Sequence, residues 1–365
     1  MLDELEVLAY PPYTLRQAEK EKVLFCDLRA ALAWHSDQSE AFGRLCKHRG
    51  FDPREPFLLK DIPYVPVTIF KSLDLISVSQ KEIIRTLYSS ATSGRPSKIM
   101  LDQVTASRQV RALNKILSDF LGSRRHFFIF DTKKTVESRE GELSSRGTAI
   151  RGMLSMAKSI TFLLNDDLEL NEDAVLKMLE EKRDADRICY FGFTWLLYRT
   201  FTKNKDRARM AELWKRFADR DPVALHMGGW KKLKDLAVSK QEFSASLERW
   251  LQTPHGRVID VYGMTEQLGT VYPDCEYGHK HAPAYSEILI RDVTSLAPVK
   301  RGEVGFIQFV SPIPRSYPGV SILSDDLGRM MGVDDCPCGR MGTYFVFEKR
   351  SEKAEVKGCG DTLNV

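Results

Sequence analysis

Residues Ser89-Ser90-Ala91-Thr92-Ser93-Gly94-Arg95-Pro96-Ser97-Lys98 bring small and hydroxyl side chains, a glycine and a lysine together, the composition that a loop closing on phosphate requires. Small side chains let backbone N–H groups approach an anion, the hydroxyls of Ser89, Ser90, Thr92 and Ser93 can donate hydrogen bonds, and Lys98 carries a mobile positive charge. The apolar residues Ile83, Ile84, Leu87 and Tyr88 just upstream predict a strand feeding the loop. No G-x-x-x-x-G-K-[ST] occurs, so this is not a Walker loop. Taken alone, such a segment is more often an ordinary polar turn.

Three further segments follow in order. Gly228-Gly229-Trp230 comes after His226-Met227, Tyr262-Gly263-Met264-Thr265-Glu266 after the apolar run Val258 to Val261, and Ser324-Asp325-Asp326-Leu327-Gly328-Arg329 later. Together with the loop they resemble the adenylate-forming superfamily of acyl-activating ligases. That superfamily shows S-S-G-T-T-G-x-P-x-K, a G-G turn, Y-G-x-T-E, T-x-D-x-x-R and a G-R-x-D-D hinge. Gly228-Gly229-Trp230-Lys231, the stretch Cys275 to His281 and Lys357-Gly358-Cys359 are similar to the acyl-protein synthetases of bacterial bioluminescence (LuxE), relatives of phenylacetate-CoA ligases.

The resemblance implies ATP and Mg²⁺ as cofactors and assigns a part to each motif. Ser89, Ser90, Thr92, Ser93, Gly94 and Lys98 would wrap the β- and γ-phosphates. Gly228 and Gly229 would leave room for adenine, Tyr262 would stack on it, and Trp230, Gly263 and Met264 would flank them. Thr265 would touch the α-phosphate, Glu266 would hold Mg²⁺, Asp326 would accept the ribose hydroxyls, and Arg350 would stand at the hinge. Ala91 departs from the usual glycine of the loop, Lys349 from the hinge glycine and Lys353 from its second Asp. Cys359, between flexible glycines, would be the thiol that takes the acyl group, with Lys353 and Lys357 favouring its thiolate. Without the resemblance, each of these residues alone reads sooner as an ordinary turn, helix-start or tail residue.

The chemistry is coherent. A carboxylate is a poor electrophile; attack on the α-phosphate of ATP expels pyrophosphate and leaves an acyl-adenylate whose AMP departs readily. The transition state gathers negative charge on phosphate oxygens, which donors, a lysine and a metal ion stabilise.

Cys275, His281, Cys336 and Cys338 form a second constellation, C-x₅-H followed by Cys336-Pro337-Cys338-Gly339. Thiolates and an imidazole at this spacing suit tetrahedral, structural Zn²⁺, with His279 as the alternative ligand and free thiols beside a turn as the alternative without metal. Cys26, Cys46 and Cys189, set among apolar residues, read as inert core thiols. Seven cysteines, an odd number, argue against a disulfide framework.

With 365 residues and 43% hydrophobic content the chain can bury a large core. Its net charge of +4, from 54 basic and 50 acidic side chains, favours neither nucleic acid nor a strongly acidic partner. The basic run Lys203 to Arg209 reads as a solvated helix face. No apolar run reaches membrane-spanning length, and the acidic start Met1 to Glu6 does not resemble a signal peptide, so the expected location is cytoplasmic.

These motifs need rigid supports, and the pattern supplies them. Residues 1–80 are expected to form a helical N-terminal cap, with helices over Leu15 to Trp34 and Ser39 to Cys46 and a proline-rich stretch from Pro53 to Pro66. Residues 81–345 are expected to form the catalytic core. Strands at Ile83 to Tyr88, His126 to Phe130, Ile160 to Leu164 and Arg187 to Phe191 alternate with helices at Ala106 to Leu121, Thr148 to Ala157 and Asn171 to Glu181. That alternation predicts an α/β fold with mainly parallel sheets flanked by helices. Strands at Ser286 to Ile290, Val304 to Val310 and Tyr344 to Phe347 form a smaller β-rich part. Residues 346–365 read as a short hinge-like tail, where relatives of the superfamily continue into a small domain.

The expected activity is ATP-dependent activation of a carboxylic acid, fatty by resemblance, and its transfer to a cysteine of the enzyme. An acyl reductase and a thioesterase are the partners the resemblance implies. A CoA ligase and a zinc-stabilised scaffold that binds nucleotide or acyl groups without turnover are the other readings. Phe191 to Tyr198 could line an acyl channel or simply fill the core.

Overall fold

The computed structural model describes residues 4–89, 96–137, 145–181 and 186–351. They fall into two units, one from the described residues of 1–116 and 264–365, the other from 117–263. In chain order the elements are α1 (Gln17–Gln38), α2 (Glu40–His48), β1 (Val65–Pro66), β2 (Ile83–Tyr88), β3 (Lys98–Asp102), α3 (Gln103–Leu121), β4 (Arg125–Phe130), α4 (Ser145–Met153) and β5 (Ala157–Phe162). Then come α5 (Glu172–Glu181), β6 (Ile188–Phe193), α6 (Thr194–Asn204), α7 (Ala208–Lys215), β7 (Val223–Met227), α8 (Lys240–Leu251) and β8 (Val258–Tyr262). The last are β9 (Tyr272–Pro273), β10 (Lys280–His281), β11 (Glu287–Arg291), β12 (Gly305–Val310), β13 (Ser321–Val333) and β14 (Thr343–Arg350).

In the unit of 117–263 the strands run β5-β4-β6-β7-β8, each pair parallel. The central strand β6, Ile-Cys-Tyr-Phe-Gly-Phe, is buried at every position, as a parallel strand covered on both faces must be. The order reverses between β4 and β6, and in such sheets the carboxyl ends of the strands are where ligands bind. α5 starts one residue later than its pattern predicts, because the Asn171 side chain accepts from Ala174 N at 3.1 Å and caps the helix. The helix expected over Thr148 to Ala157 ends early. α4 stops at Met153, a 3-10 turn covers Leu154–Met156, and Ala157 already pairs with Arg125 in the sheet. Strand pairing wins those last residues. The basic run Lys203 to Arg209 is solvated but ion-paired: Lys203 reaches Glu169 at 2.6 Å and Arg209 reaches Glu172 at 3.6 Å.

The other unit is built on an antiparallel sheet, β10-β14-β13-β12-β11, which β1 joins by pairing parallel with β13, Val65 opposite Ile322. N-terminal and C-terminal segments therefore share one sheet. α1 buries Leu24, Leu28, Leu32 and His35, an i, i+4 stripe. On the same face Lys20 Nζ meets Glu287 Oε2 at 3.1 Å, both side chains at most 2% exposed. Removing one partner of such a pair costs roughly 3–5 kcal/mol. Cys26 lies off that stripe and is exposed, not a core thiol. Cys46 and Cys189 are buried, and burial pushes their thiols up to about 11 and about 12. Among the described residues no helix is long and apolar enough to cross a membrane.

Candidate active site

In the unit containing residues 4–116, β2 and β3 form a hairpin with Tyr88 opposite Lys98. Its base is closed by Ser89 N donating to Ser97 O at 3.0 Å and Ser97 N donating to Ser89 Oγ at 2.8 Å. Ser90, Thr92, Ser93 and Gly94 lie outside the described residues. Lys98 Nζ pairs with Asp74 Oδ2 at 2.6 Å, side chains 33% and 59% exposed. This hydrogen bond raises the ammonium above the usual lysine value. Solvent-exposed pairs of this kind are worth about 0–1 kcal/mol.

Glu266 sits in a 3-10 turn, Thr265–Gln267, and is buried at 5% exposure. Desolvation raises its carboxyl above the ordinary range, opposed by the Ser97 hydroxyl, Arg350 and Lys71. The buried Ser97 Oγ has no partner at ordinary hydrogen-bond geometry, yet it lies close enough to Glu266 to favour the ionised form. Long-range contacts hold the turn. Tyr317 OH donates to Glu266 O at 2.9 Å, and Gln267 Nε2 donates to Gly319 O at 2.9 Å. Gly269, at φ +89°, lets the chain pass α3 so closely that a Cβ there would lie 2.5 Å from Gln109 Cα.

Asp326 on β13 faces Arg350 on β14, register partners whose Nε and Oδ1 are 3.2 Å apart. The neighbouring Asp325 carboxyl is raised by burial, opposed by Lys71 and Arg350. Lys98, Glu266, Asp326 and Arg350 thus belong to one unit. Ser97, part of the loop Ser89 to Lys98, joins this set, as do Lys71, Asp74 and Tyr317 without any sequence assignment. Lys71, ending the 3-10 helix Val67–Lys71, had no signal in the sequence. Cys359 lies outside the described residues.

The other unit presents its own group at the carboxyl ends of adjacent strands. Met227, the last residue of β7, is opposite Val261, so Gly228 directly follows β7 where Tyr262 ends β8. Gly228 has φ +76° and is exposed, and a Cβ there would meet the Phe193 ring at 3.3 Å. Gly229 has open space around it. Trp230 packs edge-on against Tyr198, ring centroids 4.8 Å apart. Beneath them Thr194 Oγ1 and His226 Nδ1 are 2.9 Å apart. Tyr262 and Gly263 belong to this unit, and Met264, Thr265 and Glu266 to the other.

The cysteine and histidine set converges. Cys275, His281, Cys336 and Cys338 place one ligand atom each within 4.8 Å of one another. Cys275 Sγ and Cys336 Sγ are 3.9 Å apart, and Cys338 Sγ and His281 Nε2 are 3.3 Å apart. Tetrahedral zinc at ~2.3 Å from sulfur and ~2.0–2.1 Å from nitrogen requires separations of roughly 3.8 and 3.5 Å, so the set fits that ion. Arg340 N points at Cys338 Sγ at 3.4 Å, and His279 Nδ1 lies 3.3 Å from Cys336 Sγ. The place His279 takes is that of a hydrogen-bonding neighbour to a sulfur, with His281 completing the four. Burial raises the Cys336 thiol to about 12 and lowers His281 to about 3. A neutral imidazole is the form that binds metal.

Known proteins match this chain at two levels, sequence and fold. The family described as "Acyl-protein synthetase, LuxE" matches residues 2–365. A long-chain-fatty-acid–luciferin-component ligase of Vibrio harveyi is 22% identical over 370 residues, covering 100% of this chain and 93% of the relative. One of Aliivibrio fischeri is 22% identical over 343 residues, covering 91% and 85%. Among solved structures, 2-hydroxyisobutyryl-CoA ligase in an open conformation with 2-HIB-AMP and CoA superposes with a TM-score of 0.68 at 13% identity. It covers 93% of this chain and 76% of that one. The structural likeness establishes an adenylate-forming fold, and the match along the sequence establishes more: the chain belongs to the acyl-protein synthetase family, LuxE, and is an acyl-activating ligase.

Proposed function

We propose that this ligase activates a long-chain fatty acid with ATP and transfers the acyl group to its own Cys359 as a thioester. The carboxylate attacks the α-phosphate, the bond to the bridging oxygen breaks, and pyrophosphate leaves. The Cys359 thiolate then attacks the acyl carbonyl, forming a C–S bond as AMP departs. The thioester serves an acyl reductase, and a thioesterase supplies the acid.

The observation that supports this most is Glu266. A carboxylate desolvated to this degree, with its backbone pinned by Tyr317, fits a site completed by a cation. Mg²⁺ held there would supply counter-charge to the phosphates. The chain's own residues do the rest. Lys98 leaves Asp74 for the β- and γ-phosphates, with Ser89 and the loop residues Ser90, Thr92, Ser93 and Gly94. Thr265 contacts the α-phosphate, and Asp326, steadied by Arg350, accepts the ribose hydroxyls. Gly228 and Gly229 admit adenine, Tyr262 stacks on it, and Trp230, Gly263 and Met264 flank it. Zinc held by Cys275, His281, Cys336 and Cys338 would be structural, since four protein ligands leave no open position.

The test is intact mass after incubation with ATP, Mg²⁺ and a fatty-acid panel. The wild-type chain should gain one hydroxylamine-labile acyl group, while Cys359→Ser should release pyrophosphate without an adduct. Full labelling of the variant, or acyl transfer only to added CoA, would overturn the thioester step.

A further inference from the structure

The segment Pro312 to Gly319 joins β12 to β13, a connection of the kind that usually lies loose on a protein surface. Here it is gripped. Ser311 N donates to Val320 O at 2.9 Å and closes its ends. Every carbonyl from Pro312 to Ser316 accepts a hydrogen bond. Arg108 Nη1 on α3 reaches Pro312 O and Ile313 O at 3.4 and 3.3 Å. On α1, His35 Nε2 donates to Pro314 O at 3.1 Å and Trp34 Nε1 to Arg315 O at 3.0 Å. Ser77 N donates to Ser316 O at 2.7 Å. A connection held at each of these carbonyls keeps what it carries in place.

It carries Tyr317, whose hydroxyl holds the Glu266 carbonyl. The two residues before Tyr317 reach the hairpin β2–β3 instead. Ser316 Oγ donates to Met100 O at 2.8 Å, and Thr105 Oγ1 accepts from both Arg315 N and Ser316 N at 3.0 Å. Arg315 Nη1 pairs with Asp102 and lies 3.5 Å from Glu82 Oε1. Asp102 ends β3, and its register partner Ile83, which Glu82 precedes, begins β2. One nitrogen therefore ties both strands together at the base of the hairpin, while the guanidinium lies over the Trp34 ring at 4.8 Å. Asp102 is 2% exposed, so its charge has to be paired. The path from Lys98 to Glu266 is unbroken: β3, then Arg315 and Ser316, then Tyr317.

We propose that Arg315 is a positioning residue for acyl adenylation, fixing the hairpin β2–β3 against the segment that holds Glu266, so that Lys98 and the Glu266 carboxylate are correctly spaced before nucleotide arrives. Arg315 touches no reacting atom and lies outside every motif. The proposal rests on the adenylation reading above, in which Lys98 and Glu266 serve one phosphate chain. A misplacement of about 1 Å between such groups can cost about 10²-fold in rate.

Two measurements on the full chain test it. The first is pyrophosphate release with ATP, Mg²⁺ and a fatty-acid panel, resolved into kcat and KM. Asp102→Asn with Arg315→Gln removes both charges together and keeps the oxygen that accepts from Thr105 N to cap α3. In this paired variant kcat should fall about 10- to 100-fold, with the KM of the acid within about threefold of wild type. Arg315→Lys should restore kcat to within about threefold, because a single nitrogen meets both carboxylates and an ammonium can take its place. Ser316→Ala, which changes no charge, should lower kcat about fivefold or more. The second measurement is hydrogen exchange of residues 83–88 and 98–102 without ATP or Mg²⁺. The paired variant should exchange about tenfold faster there, and Arg315→Lys at the wild-type rate. Variants whose kcat stays within twofold of wild type, or whose hairpin exchange is unchanged, overturn the inference whatever their thermal stability. A loss of kcat that Arg315→Lys shares in full assigns Arg315 to the fold alone and overturns it too. Wild-type protein that releases no pyrophosphate from any acid removes the adenylation reading instead, and the exchange measurement still decides whether Arg315 fixes the hairpin.

Discussion

Glu266→Gln separates function from stability in a way the structure makes quantitative. The substitution keeps the shape of a side chain that is 5% exposed and removes the charge. If the carboxylate holds the cation that offsets transition-state charge, turnover should fall by about 10²–10³, the ~3–4 kcal/mol typical of losing one such electrostatic group. Stability should move the other way. Burial raises the Glu266 carboxyl above its ordinary 4.5 in the folded chain, so between that value and the folded one the native state binds the extra proton. Its contribution is therefore fully present at low pH and is lost as pH rises through this window. Glutamine has no such loss. The variant should gain on the wild-type chain as pH climbs from 4.5, by about 1.4 kcal/mol for each unit by which the carboxyl is raised, and then hold that margin. Urea unfolding across this pH range without Mg²⁺, beside pyrophosphate release at neutral pH, measures both. Parallel stability curves would show that the carboxylate is not held above its ordinary value. Turnover within threefold of wild type would remove Glu266 from the chemistry.

Two further outcomes follow from geometry. Purified protein should carry about one zinc per chain, and Cys336→Ser with Cys338→Ser should lose it and unfold at lower temperature; a metal-free chain of full stability would end that assignment. Gly269→Ala should cost about 2–5 kcal/mol, the sum of left-handed strain and overlap with α3. By contrast, Gly302→Ala, at φ +85° in open space, should cost only the strain of about 1–2 kcal/mol. Equal losses in the two alanine variants, read by denaturant midpoint, would show that the close approach at Gln109 does not constrain the turn.

Local chemistry determined much of this protein. The apolar residues of Ile83 to Tyr88 form the strand β2 at the expected residues, and the buried run of β6 announces a covered parallel sheet because each depends on its own side chains. The order of the motifs carried the family, since each motif is contiguous. The cysteine and histidine set was legible because its members come in two short clusters. Tertiary structure decided what depends on residues far apart in the chain. The end of α4 at Met153 reflects pairing of Ala157 with a strand more than thirty residues earlier. Cys26 is exposed because only the partner of α1 decides which stripe of the helix is covered. Two strand residues near the N-terminus, Val65 and Pro66, complete a sheet made by the C-terminal segments. Tyr317 holds the Glu266 carbonyl, and Lys71 bears on its carboxylate, through contacts that no spacing encodes. Backbone pattern fixes which element forms; burial and charge, which set what Glu266 can do, arise only when elements distant in sequence pack together.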